Sequence, residues 1–372
     1  MIDRRLIYNI NWALVGFCLA LFLLGVLNLY SASGYRLEDG FSVAPYFRKQ
    51  LIWGLVGVVG MIFFMLIDYR HLKNLSWPLF IVTCSLLLSV FFVGKTIYGA
   101  RRWLDLGFMN FQPSELAKIT VLIIGARMLS KASEKLDIVH LTQVVAVGMI
   151  PAGMVILQPD LGSGLSALMI LGGMILYRGV TPRVWKIVGV AVPTLLPLSW
   201  FVLHDYQKRR ITSFLNPDGD PLGAGYHLIQ SEIAIGSGGF WGKGFLAGTQ
   251  SQLRFLPEKH TDFALAVFGE EWGFVGTMSL LVLFCAFLYQ MVVTARDAKD
   301  LFGSYLAAGV FFYFFWQILI NMGMVLGLMP VVGIPLPFIS YGGSATLVNF
   351  CLIGLVLNVS MRRFVFRHGR QV

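Results

Sequence analysis

WALVGFCLALFLLGVLNLY, residues 12–30, runs for nineteen residues without a charged side chain. A helix rises ~1.5 Å per residue and a bilayer's hydrocarbon core is ~30 Å thick, so roughly 20 apolar residues suffice to cross it. Arg4 and Arg5 precede the stretch and Ser31-Ala32-Ser33 follow it, which is also the layout of a secretory signal. A cleavable apolar region, however, is only ~7 to 15 residues long. The stretch is therefore expected to stay as a membrane anchor.

The same test applied outward finds ten such stretches, at about 12–30, 51–67, 78–94, 114–130, 141–157, 163–177, 184–203, 274–294, 303–328 and 345–361. Composition agrees. The 372 residues are 57% hydrophobic and 13% charged, with a mean hydropathy of +0.73, whereas a soluble domain is about a quarter charged. No polar stretch is long enough to bury a core of its own. The expected fold is all-α: a single polytopic membrane domain, 1–372, of ten transmembrane helices.

Ten spans put both termini on one side. That side collects sixteen basic residues: Arg4, Arg5, Arg70, Lys73, Arg127, Lys131, Lys135, Arg178, Arg183, Lys186, Arg296, Lys299, Arg362, Arg363, Arg367 and Arg370. The opposite short loops hold six: Arg36, Arg48, Lys49, Lys95, Arg101 and Arg102. Basic residues accumulate in cytoplasmic loops, so both termini are expected in the cytoplasm. The net charge of +10 is then mostly a topology signal, and no basic-aromatic patch suited to single-stranded nucleic acid accompanies it. The four cysteines lie in apolar stretches without metal-ligand spacing and are read as packing residues.

Two outer connections stand apart. The loop 204–261 is rich in turn formers, including NPDGDP at 216–221, yet its YHLIQSEIAIGSGGFWGKG, 226–244, is apolar enough to be ordered. The second, GLMPVVGIPLPFISYGGSA at 327–345, carries no charge, and Pro330, Pro335 and Pro337 keep it from being helical. Irregular backbone at membrane depth survives where protein buries it or water reaches it. The stretch is expected to be a re-entrant or capping loop that closes a cavity.

Charges inside the apolar regions point to that cavity. Glu115 and Lys118 are three residues apart on one helix face and can pair. Such a pair can orient two helices or line a polar pocket, since each charge at the bilayer centre costs at least ~2.5 to 3.5 kcal/mol. Asp160, after Pro159, can cap a helix or act in a site. In LPEKHTDFALAVFGEEWG, 256–273, Glu258, Lys259, His260, Asp262, Glu270 and Glu271 crowd a membrane surface. Thr261 or Asp262 can be a helix cap there, but a poorly solvated, ionised aspartate is also a competent general base. Arg48, Arg101, Arg102, Lys208, Arg209, Arg210, Arg254 and Lys259 fall on the outer side, where a guanidinium or ammonium meets phosphates well.

HTDFALAVFGEEWG, GLMPVVGIPLPFISYGGSA, QPSELAK, QPDLG and GARRWLDLG, over essentially the whole chain, resemble the SEDS family (shape, elongation, division and sporulation). The VVGIPLPF wording and the compact length are more similar to its elongation branch than to its division branch. The resemblance implies a peptidoglycan glycosyltransferase of the bacterial inner membrane. Such an enzyme polymerises lipid II, the undecaprenyl-pyrophosphate-linked disaccharide, at the outer face. It implies a class B penicillin-binding protein transpeptidase as partner, beside other elongation-complex membrane proteins. It places the essential aspartate on Asp262, the intramembrane pair on Glu115 and Lys118, a motif aspartate on Asp160 and basic residues on Arg102 and Arg48. Asp262 is thus the expected catalytic residue, and Glu115, Lys118, Asp160, Arg102 and Arg48, joined by Lys259 and His260 beside the aspartate, are the expected substrate-binding residues. Asn110 stands where many relatives carry a basic residue. The resemblance fixes no cofactor and leaves a divalent cation such as Mg open. The competing expectations are a lipid II flippase, a division-type polymerase and a structural scaffold.

Overall fold

The structure is a computed structural model that describes residues 8–363 apart from 38–39, 44–45, 98–99, 106, 108–109, 132–135, 202, 204, 220–222, 254 and 257. Arg254 therefore lies outside the described residues, as do the side chains of Arg36, Arg101 and Asn110.

Among the described residues, eight helices are long and apolar enough to cross a membrane: α1 (Trp12–Ser33), α2 (Tyr46–Leu66), α3 (Arg70–Val93), α5 (Ile138–Leu157), α6 (Leu161–Arg178), α11 (Ala264–Arg296), α12 (Leu301–Val325) and α13 (Gly343–Met361). The other two expected stretches are helical as well. α4 (Pro113–Leu129) has 17 residues and includes Glu115, Lys118 and Arg127. α7 (Pro182–Ser199) carries Arg183 and Lys186 and holds Pro193 and Pro197 inside it. Charge and length keep these two from reading as plain spans, and α4 shows why: it is buried along most of its length and packs against α3, α5, α6 and α12.

Local chemistry starts several helices. The side chains of Asn11, Asp137, Asp160 and Asp300 accept from the backbone N–H of Leu14, His140, Ser163 and Gly303, satisfying donors that a helix start leaves open. α13 runs along α2. Close approach is possible because a Cβ at Gly57 would lie 2.5 Å from the Phe350 ring and one at Gly354 would lie 2.4 Å from the Met61 carbonyl oxygen. Small residues let helices pack tightly where lipid offers no hydrophobic drive.

The connections between the long helices are where the all-α expectation needs correction. β1 (Gly34–Leu37) and β2 (Gly40–Val43) form an antiparallel hairpin, and β3 (Lys95–Ile97), β4 (Ala100–Asp105) and β5 (Asn110–Phe111) form an antiparallel three-stranded sheet. These segments are short and polar, so their backbone groups pair locally instead of extending the spans. The connection 204–261 is ordered, with α8 (Asp205–Leu215), α9 (Ala224–Gly238) and α10 (Thr249–Gln252).

The expected start of the eighth stretch, at 274, marks a break rather than a helix end. α11 begins ten residues earlier and is interrupted at Gly273, whose φ of 63° and ψ of −160° are not helical. The interruption exposes backbone groups on both sides, and the 239–244 turn takes them up. Lys243 and Gly244 N–H donate to the Glu270 and Glu271 carbonyls, and Phe274 and Val275 N–H donate to the Gly239 and Phe240 carbonyls. Glu270 reinforces this clip. Its carboxylate accepts from Lys243 Nζ at 2.7 Å and from the N–H groups of Thr249, Gln250 and Ser251 at the start of α10.

Candidate active site

The half-helix before Gly273 carries Asp262 at its entrance. Asp262 does not cap it: the helix starts at Ala264 behind Phe263, and no side chain caps that end. The Asp262 carboxylate is therefore not consumed by the backbone. It faces a cavity of about 1130 Å³, above the ~300–1,000 Å³ of pockets for drug-sized ligands.

The walls come from distant parts of the chain. Lys49 and Trp53 of α2, Arg102 and Trp103 of β4, Gln112, Glu115 and Lys118 at the head of α4, and Asp160, Ser163 and Ser166 at the head of α6 all line it. Tyr206 and Arg210 of α8, Glu258, Thr261 and Asp262, and the stretches 332–335 and 341–345 complete it. The charge-free 327–345 connection is thus a cavity wall, and it is non-helical between α12 and α13 as its prolines require. A smaller recess of about 60 Å³ adjoins it, bounded by Arg102, Asp160, Tyr206, Arg210 and Pro330.

Lys118 Nζ donates to Glu115 Oε1 at 2.7 Å and lies 5.4 Å from the centre of the Tyr313 ring. Both charged side chains are almost wholly buried. Glu115 Oε2 has no hydrogen-bond partner among the described residues, so the pair keeps an acceptor in reserve. Asp160 is held by several groups at once: Gln112 Nε2 and Ser114 Oγ donate to its Oδ2 at 3.2 Å, Ser163 N–H to its Oδ1 at 3.2 Å, and Arg102 Nη1 stands 3.9 Å away. Arg102 and Tyr206 also donate to the Pro159 carbonyl.

Burial, and then the nearby Glu258 carboxylate, push the Asp262 carboxyl up to about 6, while the Arg210 guanidinium opposes them. At neutral pH the group is ionised yet poorly solvated, the state a general base needs. Glu258 shares the cavity wall with Asp262, whereas Lys259 and His260 of the segment point elsewhere. Lys259 Nζ donates to the Gly34 and Ser251 carbonyls. The His260 ring stacks on Tyr46 at 4.4 Å, and burial together with Lys259 holds its pKa down to about 4. Arg48 is exposed and lies over Phe47.

Of the residues singled out from the sequence, Asp262, Glu115, Lys118, Asp160 and Arg102 meet at one cavity, whereas Arg48, Lys259 and His260 are not among its lining residues. Lys49, Tyr206 and Gln112 were not singled out as site residues, and Arg210 stood only within a basic run. Adjacent helical positions differ by about 100°, so which of Arg48 and Lys49 faces inward is unreadable until the cavity's direction is known. Among the described residues no three His, Cys, Asp or Glu side chains cluster as metal ligands.

A cavity whose carboxylate, buried ion pair and arginines come from segments spread along the chain invites comparison with known proteins. The model of the cell cycle protein family of FtsW, RodA and SpoVE matches residues 12–364. The chain belongs to the FtsW/RodA/SpoVE family. It is 41% identical over 351 residues, covering 92% of this chain and 93% of the relative, to the peptidoglycan glycosyltransferase MrdB of Escherichia coli K12. It is 36% identical over 359 residues, 93% of this chain and 96% of the relative, to the stage V sporulation protein E of Bacillus subtilis. Among solved structures it is similar to the rod shape determining protein RodA of Thermus thermophilus, with a TM-score of 0.71 at 29% identity over 96% of this chain and 98% of that one. It is also similar to a chain from a peptidoglycan synthase complex that coordinates polymerization and crosslinking, with a TM-score of 0.80 at 31% identity over 95% of this chain and 98% of that one. As a family member it is a multi-span membrane protein, and both the fold and its relatives agree on this.

Proposed function

We propose that this chain is a peptidoglycan glycosyltransferase that polymerises lipid II into glycan strands during cell elongation. The observation that carries the reading is the meeting of Asp262 with Glu115, Lys118, Asp160 and Arg102 around one large cavity. Asp262 removes the proton from the 4-hydroxyl of the acceptor's N-acetylglucosamine. That oxygen attacks the anomeric carbon of the donor's N-acetylmuramic acid with inversion, and the lipid pyrophosphate leaves. Developing negative charge on the pyrophosphate is met by preorganised cations, for which Arg102, Arg210, Lys49 and Lys118 are placed on the cavity wall. A second carboxylate acting as nucleophile is not needed for inversion.

The topology that serves this chemistry has ten spans, with α4 and α7 counted beside the eight apolar helices, both termini in the cytoplasm and the 204–261 connection outside. The cavity then opens at the outer face of the inner membrane. A class B penicillin-binding protein that crosslinks the new strands is the expected partner, as the likeness to a synthase-complex chain supports.

The test is polymer formation from lipid II by purified protein in detergent. The wild type should make glycan strands, and Asp262→Asn or Asp262→Ala should make none while remaining folded; normal polymerisation by either variant defeats the assignment. The buried Glu115–Lys118 pair also suits a transport path for the same lipid. Detergent removes the two sides a flippase needs, so polymer made there requires an enzyme.

A further inference from the structure

We propose that Asn321 is the positioning residue that sets Asp262 in its reactive place, an inference that rests on the glycosyltransferase reading above. Asn321 sits within α12, fully buried in an otherwise apolar turn. A polar amide inside a membrane helix is retained where it has a specific partner, and here both partners are backbone. Its Nδ2 donates to the Asp262 carbonyl at 3.0 Å and to the Ile334 carbonyl at 2.8 Å. Its Oδ1 has no hydrogen-bond partner among the described residues, so the donor end is the end in use.

Both carbonyls belong to irregular backbone. Asp262 precedes the helix, and Ile334 lies in the non-helical cavity wall. Neither segment has a regular ladder to hold its position, and a buried carbonyl without a donor is costly. One amide therefore joins the segment that bears the base to the wall across from it. The strip 332–334 acts as the reference. The Val332 carbonyl accepts from Arg210 Nη1 at 2.8 Å. Gly333 presents its Cα face to the Asp262 carboxylate, with a Cβ there lying 3.4 Å from Oδ2, and the Ile334 carbonyl takes Asn321. The base and the cation that faces it are thus registered to the same three residues, and the tether keeps the carboxylate in its poorly solvated position.

The charged groups facing Asp262 are Glu258 of its own segment and Arg210 of α8. Lys49 of α2, Arg102 of β4, Glu115 and Lys118 of α4 and Asp160 at the head of α6 line the same cavity. Asn321 itself brings no charge, so its removal acts on Asp262 through position and solvation. That gives a signature that ordinary helix packing does not.

The experiment uses the full chain in detergent with lipid II. Asn321→Leu removes the donors at similar volume, and Asn321→Gln keeps an amide on a longer stem. For Asn321→Leu the rate at saturating lipid II should fall roughly 10- to 100-fold, as expected for sub-ångström misplacement of a reacting group. KM should stay within about twofold, because substrate binding is not what is lost. The acid limb of the rate against pH should move down from about 6 towards the ordinary carboxylate range. Asn321→Gln should recover part of the rate. An Asn321→Leu protein that keeps the wild-type rate and limb overturns the inference. So does one whose rate falls only in proportion to its folded fraction, with an unmoved limb. If the wild type itself makes no polymer in this assay, the glycosyltransferase reading fails instead, so the two failures are distinguishable.

Discussion

Lys118 and Glu115, one helical turn apart, form a 2.7 Å ion pair whose side chains are almost wholly buried and yet line the cavity that Asp262 faces. Removing one partner strands the other charge, which costs about 3–5 kcal/mol in a buried pair. Lys118→Ala should therefore unfold at a lower temperature in detergent and make no polymer. The paired replacement Glu115→Gln with Lys118→Met should recover much of the thermal stability without recovering polymerisation. If the double variant polymerises at the wild-type rate, the pair only holds helices together.

The raised pKa of Asp262 fixes the pH response. A general base works ionised, so activity should fall about tenfold per pH unit below about 6, and stay level above it until another group titrates. Glu258→Gln removes a carboxylate that pushes Asp262 up, so its acid limb should lie lower. The same shift has a stability consequence of opposite sense. A carboxyl whose pKa is higher folded than unfolded favours the fold when protonated, and that contribution is lost as pH rises through about 6. Asp262→Asn should therefore be no less stable than the wild type at pH 8 while making no polymer. Thermal unfolding and rate profiles over pH 4.5–8.5 check both, and a wild-type limb near 4 would sink the argument.

Much of this was legible in the residues. The apolar runs located the helices, because about 20 uncharged residues have few other fates. Pro330, Pro335 and Pro337 announced the irregular cavity wall. The charge of Glu115 and Lys118 within an apolar helix signalled a polar interior. What remained hidden depended on direction. Glu270 reads as one more acid in a crowded segment until the break at Gly273 turns its carboxylate onto α10. Asn321 reads as one amide in an apolar helix, and only the path of the 327–345 connection shows which carbonyls it meets.

Glu270 gives the contrast to Asp262. It is fully buried, pairs with Lys243 and closes the backbone N–H groups of Thr249, Gln250 and Ser251. Glu270→Ala leaves those donors and a lysine without their acceptor, so stability should drop by about 3–5 kcal/mol. The protein that remains folded should keep the wild-type acid limb, because Glu270 is not among the cavity lining. A shifted limb in Glu270→Ala would place it in the chemistry after all.

Arg48 and Lys49 are neighbours in sequence but not in placement. Both are exposed, but Lys49 lines the cavity, while Arg48 rests over the Phe47 ring 5.7 Å away. A cation that meets the pyrophosphate of the leaving lipid stabilises charge as it develops, and loss of such a group costs on the order of 10²-fold or more in rate. An exposed cation over a ring contributes only about 0.5–1 kcal/mol. Lys49→Ala should therefore slow polymerisation far more than Arg48→Ala, with the deficit expressed in the rate at saturating lipid II. Equal deficits for the two, or a larger one for Arg48→Ala, would show that the first turn of α2 turns its other face to the substrate.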